Sequence, residues 1–373
     1  MRKLFVKLHK YCGLVLGLLL SITALSGSLL VFDRELDELL TPQAVDFEPT
    51  SRLASFDLAL DNATQEVGNG SGPTRLMLGR HDGAPHIVRF PTPPGEAGPI
   101  EALIDPGTAE VLTVRQWGRT PVSWIYHLHL AFLVGDTGEL VVGLMGFLML
   151  FFCLTGLYLW WPRGGRWRRA FTLRRDAGRY RLFFDLHKLS GFYLLPVYLL
   201  LALTGMEIVW HEPAERLVAS VLPVRESPAP RSAIAAGENT NPISMDRAAA
   251  LGQAKFPDSR LMRLYVPQDD ADPWRVTFIH PEELWTEFGA GTTVYLDQYS
   301  GEVLDNWDTR NLPAGSLLLE WSFPLHNGDA LGLVGRVVVF LSGLVVPVLF
   351  GTGVYLWWRK RRPVIFTGRS QVR

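Results

Sequence analysis

The sequence predicts an α-helical membrane protein: four transmembrane helices in a parallel internal duplication, carrying two small exported α+β domains. Three observations predict it. Four apolar runs have the length of a bilayer, basic and acidic residues segregate along the chain, and one phrase occurs twice.

The runs are Leu14–Phe32, Leu140–Trp161, Leu189–Trp210 and Val337–Trp358, each 19 to 22 residues long. About 20 apolar residues cross the hydrocarbon core. Among these runs Glu207 is the sole charged residue. The net charge of −1 hides a strong asymmetry. Residues 1–10 carry four Lys/Arg and no acid, residues 162–186 eight Arg against two Asp, and residues 359–373 six Lys/Arg and no acid. The connections 33–139 and 211–336 hold 16 acids against 7 bases and 18 against 10. Cytoplasmic flanks are rich in Lys and Arg. Both ends and the short loop are therefore expected inside, and the long connections outside.

Residues 1–32 form the first span. They contain LHKYCGLVLGLLLSITALSG, with His9, Gly13 and Gly27. Eighteen residues from His9 to Gly27 is five helical turns, so the three share one stripe. A cleaved signal peptide ending near TALSGS is the alternative. The run is long for that role, and its twin is internal. Residues 33–127 form the first exported domain, with a helix over 54–67 and strands Arg75–Leu78, His86–Phe90 and Glu101–Ile104. Residues 128–161 form the second span with its outer entry, and 162–186 the basic inner loop.

The third span, 187–210, contains the second copy, LHKLSGFYLLPVYLLLALTG, with His187, Gly191 and Gly205. Pro196 there and Pro347 in the fourth span would kink their helices. Residues 211–324 form the second exported domain, with a helix over 245–255 and strands Leu261–Val266, Trp274–Ile279 and Thr293–Leu296. The fourth span is 325–358, and 359–373 the basic inner tail. A shift of 197 aligns His129 with His326 and Thr155-Gly156 with Thr352-Gly353. A shift of 192 aligns ALIDPGTAEVL (102–112) with VYLDQYSGEVL (294–304). Gly/Pro-rich loops occupy 68–73, 91–99 and 223–244. Each domain alone is short of core and is expected to lean on its twin or on the membrane.

A parallel repeat implies a pseudo-twofold axis along the membrane normal. That axis would set His9 opposite His187 near the inner face and His129 opposite His326 near the outer face. Each pair could give two axial imidazoles to a b-type haem, with glycines leaving room for a porphyrin edge. One interfacial histidine is ordinarily a headgroup contact; four at matched places argue otherwise. His127 and His211 are reserve ligands. Glu207 is a proton carrier, a haem propionate neighbour, a quinol contact or a snorkelling residue. Thr155, Thr204 and Thr352 are expected to bond back to their own helices. Trp117, Trp124, Trp285, Trp307 and Trp321 are core or membrane-edge anchors, or line a dock for a chelate. Cys12 and Cys153 lie in or beside spans and read as packing residues, not a disulfide. The absence of CxxCH excludes covalent haem attachment. No Walker loop, HExxH or Gly-x-Ser-x-Gly occurs, and nothing points to nucleic acid.

The phrases LHKxxG, TGLYLWW/TGVYLWW and the DxxxGEVL-type turn resemble the PepSY-associated transmembrane family. The likeness is greatest to FoxB-type inner-membrane ferric-siderophore reductases. The resemblance implies four membrane helices, two periplasmic PepSY-like domains and two b-type haems held at His9, His129, His187 and His326. It implies electron transfer from quinol or another donor to a periplasmic ferric siderophore, hydroxamate types favoured, with release of Fe(II). It places the chain in the bacterial inner membrane with both termini cytoplasmic. A non-redox regulator of a periplasmic partner and an iron-chelate permease are the alternatives. Ala109 departs from the family's turn, where glycine is usual.

Overall fold

In the computed structural model three of the apolar runs lie in single membrane-length helices and the fourth in a broken pair. The structure describes residues 1–41, 47, 53–233, 241–283 and 291–361. Trp285 and the basic tail beyond Arg361 therefore lie outside the described residues. Helices α1 (Arg2–Leu30) and α2 (Asp33–Leu40) open the chain. Helix α3 (Phe56–Val67) and strands β1 (Arg75–Met77), β2 (His86–Arg89), β3 (Ile100–Ile104) and β4 (Val111–Gln116) follow. Next come α4 (Pro121–Ala131), α5 (Gly135–Trp160), α6 (Trp167–Ala170), α7 (Gly178–Tyr193), α8 (Leu195–Val209) and α9 (His211–Ala219). The chain continues through α10 (Met245–Lys255), β5 (Arg260–Tyr265), β6 (Trp274–Ile279), β7 (Thr292–Leu296) and β8 (Val303–Trp307). Helices α11 (Ala314–Glu320), α12 (Ser322–Asn327) and α13 (Gly332–Arg361) complete it.

The chain divides into two units. The helical unit comprises Met1–Leu29, His129–Val209 and the chain from Val338. Its core joins Leu20, Met145, Leu148, Cys153, Tyr198 and Val346. Small residues let the helices close in, as membrane helices require when water supplies no driving force between them. A Cβ on Gly17 would stand 2.6 Å from the Phe350 ring, and one on Gly343 2.7 Å from the Ala24 carbonyl. The Tyr198 hydroxyl donates to the Ser342 carbonyl at 3.0 Å. Exposed side chains such as Val15, Leu18, Phe147, Leu341 and Val348 are apolar, as a hydrocarbon-facing surface must be.

The third apolar run is carried by a helix that starts before it, at Gly178 within the basic stretch 162–186, and that breaks partway. Helices α7 and α8 meet at Leu194 with a bend of 57°. Pro196 explains the break: it has no N–H to bond the Phe192 carbonyl, and its ring crowds the preceding turn. Pro347, by contrast, sits inside the continuous α13. The polar start of α7 is held by Asp185, whose carboxylate takes Arg181 Nε at 2.8 Å and Lys188 Nζ at 3.0 Å.

The second unit comprises Leu30–Leu128 and Trp210–Val337. The strands stand where the sequence placed them, joined by β4 and β8, the outgoing arms of the two hairpin turns. All eight form one antiparallel sheet in the order β4-β3-β2-β1-β5-β6-β7-β8. Each long connection supplies four strands, and the two sets meet where β1 pairs β5, Leu76 opposite Leu264. Each set thus leans on its twin, and neither closes on itself. The reason is core size and edge. Four short strands and one helix bury too little, and β1 and β5 would each expose an unpaired edge. Joined, they share a core in which Leu76, Val88 and Ile104 meet Leu264, Val276 and Phe278 beneath α3 and α10.

The two covering helices cap each other. Asp246 of α10 accepts from Phe56 N at 2.8 Å, and Asp57 of α3 accepts from Met245 N at 2.8 Å. Each carboxylate thus meets the donor-rich N-terminus of its neighbour. The hairpin turns also match. Asp105 accepts from Gly107 N at 2.7 Å, and Asp297 accepts from Tyr299 N at 2.9 Å. The position held by Gly301, at φ 76°, is held by Ala109, at φ 61°. The buried alanine thus takes a backbone conformation that favours glycine.

Candidate functional site

His9 lies on α1 and His187 on α7, each in a helix rather than at its end. Both belong to the helical unit, and the structure brings them together. Their ring centres are 6.4 Å apart and their planes cross at 79°. Each ring is held from behind by the threonine-glycine pair of a later helix. His9 Nδ1 lies 2.7 Å from Thr155 Oγ1. That hydroxyl spends its own proton on the Phe151 carbonyl at 2.7 Å. It therefore accepts from His9, and Nδ1 carries the ring proton. His187 Nδ1 lies 3.0 Å from Thr352 Oγ1 and 3.0 Å from the Leu349 carbonyl. A carbonyl cannot donate, and Thr352 gives its proton to Val348 at 2.7 Å. His187 is thus a second Nδ1–H tautomer.

A neutral imidazole protonated at Nδ1 presents a lone pair at Nε2, the form that binds a metal, and the outer hydrogen bond orients the ring. The adjoining glycines let the rings sit close: a Cβ on Gly156 would lie 3.8 Å from His9 Cε1, and one on Gly353 3.6 Å from His187 Cε1. Positions Gly13 and Gly191 face Phe152 at 3.9 Å and Leu349 at 3.8 Å. Phe152 also meets the His9 ring edge-on, with centres 5.1 Å apart.

Sequence reasoning read Thr155 and Thr352 only as bonding back to their helices, and Thr204 with them. All three do so. What it missed is that two of the hydroxyls also accept from histidines on distant helices. The available signal was the matched Thr-Gly dipeptide in both copies.

His129, on α4, is a third histidine of this unit. Its Nδ1 lies 2.8 Å from the Thr23 carbonyl, so this ring too is protonated at Nδ1. Gly27 makes the room: a Cβ there would stand 2.6 Å from His129 Cε1. Gly27 was expected to clear space for a cofactor edge; in the structure the imidazole itself fills that space. His326 lies in the other unit, on α12, two residues before left-handed Gly328. Gly205 and Glu207 fall in α8, and His211 opens α9. His127 lies on α4 with a buried Nε2 that has no hydrogen-bond partner among the described residues.

The described residues contain no group of three or more His, Cys, Asp or Glu able to hold a bare metal ion. A pair of imidazoles suits a different case. The pair would instead fit the iron of a porphyrin, which brings its own nitrogen ligands and takes histidine as a further one.

A family model for the PepSY-associated TM region matches residues 6–360. An uncharacterised protein of Pseudomonas aeruginosa is 40% identical over 81 residues, which are 22% of this chain and 20% of that protein. The match therefore spans about a fifth of that relative's length.

Proposed function

The chain belongs to the PepSY-associated TM family, and from that premise we propose that it is a di-haem oxidoreductase of the bacterial inner membrane. It passes electrons to a periplasmic ferric siderophore, hydroxamate types favoured, and so releases Fe(II). The observation that carries this reading is the close pair His9 and His187, each held as the Nδ1–H tautomer. A b-type haem bound there supplies one-electron chemistry by cycling between ferric and ferrous iron.

The chain's own residues have separable tasks. His9 and His187 offer Nε2 lone pairs; Thr155, Thr352 and the Leu349 carbonyl hold the tautomer and strengthen the rings as donors. Gly13 and Gly191 keep side chains out of the slot. His129, its ring packed against Gly27, is the imidazole offered to a second haem. The apolar helical core keeps water from the pair. Quinol or another membrane donor supplies the electrons.

The matched contacts support the parallel duplication. So does a sheet whose strand order is symmetric about β1–β5. The Lys/Arg bias supports cytoplasmic termini and periplasmic long connections.

An absorption spectrum of the purified protein, expressed with ample haem supply, tests the proposal. The expected result is a Soret band that shifts with dithionite and returns on adding ferric siderophore. His9→Ala and His187→Ala should each remove absorbance. A colourless protein would overturn the reading in favour of a non-redox regulator or a chelate permease.

A further inference from the structure

Strand alternation sends Leu76 and Leu264 into the core beneath α3 and α10, and their neighbours to the opposite face of the sheet. That face is rich in arginine. Most of these cations are matched. Buried Glu101 takes Arg115 Nε at 2.9 Å and Arg89 Nε at 3.0 Å, and Arg115 also pairs with Asp37 at 2.8 Å. Arg80 is held by Glu38 at 3.0 Å.

The centre of the face is different. Arg75, on β1, stands directly between Arg89 on β2 and Tyr265 on β5, and Tyr265 faces Arg275 on β6. Like charges directly opposite in a sheet repel. Among the described residues the Arg75 guanidinium meets no carboxylate. Its charge meets the phenol of Tyr265, 5.7 Å from the ring centre, and its Nε is buried without a hydrogen-bond partner. Burial, then the facing Arg89 and nearby Arg263, pull Arg75 below the ordinary guanidinium range. Burial alone would raise the Tyr265 phenol, yet Arg263, Arg75 and Arg275 outweigh it and hold the phenol low. The local field therefore favours negative charge.

Space for a counterion lies on both sides. Arg75 lines a cavity of about 270 Å³ with Arg263 and Arg260; the acids there, Asp37 and Glu38, are already paired with Arg115 and Arg80. It lines a second cavity of about 260 Å³ with Tyr265, Arg275, Gln268 and Asp272. Leaving a partly buried cation unpaired is costly. A guanidinium is best satisfied by paired oxygens.

We propose that this face of the sheet binds a small polyanion, through carboxylate or phosphate oxygens on Arg75, with Arg263 and Arg275 as flanking cations. The site is independent of the haem reading. Its ligand is a soluble anion or an anionic lipid headgroup, two sources of the same chemistry.

The test uses the full chain. In detergent, citrate and inorganic phosphate are titrated against thermal unfolding, with potassium chloride at matched ionic strength as control. In nanodiscs, phosphatidylglycerol is compared with phosphatidylcholine. Citrate, phosphate or phosphatidylglycerol should raise the unfolding temperature where the control does not; which one does identifies the source. Arg75→Gln should weaken that response roughly tenfold or more. Without anion it should unfold no lower than the parent, because it removes an unpaired charge. Arg275→Gln, at an exposed position, gives a second reading should Arg75→Gln fold poorly, and should also weaken the response. The proposal is overturned if no anion stabilises the parent, or if both variants respond as the parent does.

Discussion

Thr155→Val and Thr352→Val look equivalent by sequence, yet the structure makes them unequal. His9 Nδ1 has Thr155 Oγ1 as its acceptor, whereas His187 Nδ1 has both Thr352 Oγ1 and the Leu349 carbonyl. Valine at 155 leaves a ring N–H without a partner in an apolar helical core. That loss is worth about 1–3 kcal/mol. Valine at 352 leaves a 3.0 Å bond in place, so its cost should stay below about 1 kcal/mol. Groups that hydrogen-bond the outer nitrogen of a metal-bound histidine typically control affinity by about 10–100-fold. Thr155→Val should therefore weaken haem binding by that range, and Thr352→Val by less than about tenfold. The sign of the potential follows as well. Losing the Nδ1–H acceptor makes His9 a weaker donor, which disfavours ferric iron, so the potential rises. Haem titration of the apoprotein by Soret absorbance, with spectroelectrochemistry of the loaded form, measures both quantities. Equal damage from the two variants, or haem binding by Thr155→Val at parental affinity, would refute the reasoning.

Gly27→Ala and Gly13→Ala should separate. The first sets a methyl 2.6 Å from His129 Cε1 and should lower stability by about 1–3 kcal/mol, read by thermal unfolding. The second meets nothing nearer than 3.9 Å, so the apoprotein should be unharmed while haem affinity falls; unchanged haem affinity would remove Gly13 from the slot. His86 gives a pH dependence. Burial lowers its pKa from 6.5 to about 4, with Asp105 opposing, and its Nδ1 accepts from Gly79 N at 2.9 Å. Folded His86 stays neutral while the unfolded residue takes a proton. Stability from this group is thus complete above pH 6.5, falls through the window from 6.5 to about 4, and falls no further below it. His86→Asn keeps an acceptor for Gly79 and should flatten the unfolding temperature across that window. An unchanged slope would count against the assignment.

Much of this protein was determined by its sequence alone. Four apolar runs, the Lys/Arg asymmetry and strands with period-two burial depend on local composition, which a single chain displays directly. The matched histidines were also legible, because LHKxxG and TGxYLWW repeat at constant shifts. The tertiary structure decided what depends on partners far apart in the chain. It joined β1 to β5, so that two sets of four strands share one sheet. It placed the Pro196 break at Leu194 and began the helix of the third run at Gly178. It also set Thr155 behind His9, 146 residues away, and Thr352 behind His187, 165 residues away. Which nitrogen of an imidazole carries the proton is settled by its acceptor, and no local pattern records an acceptor on another helix.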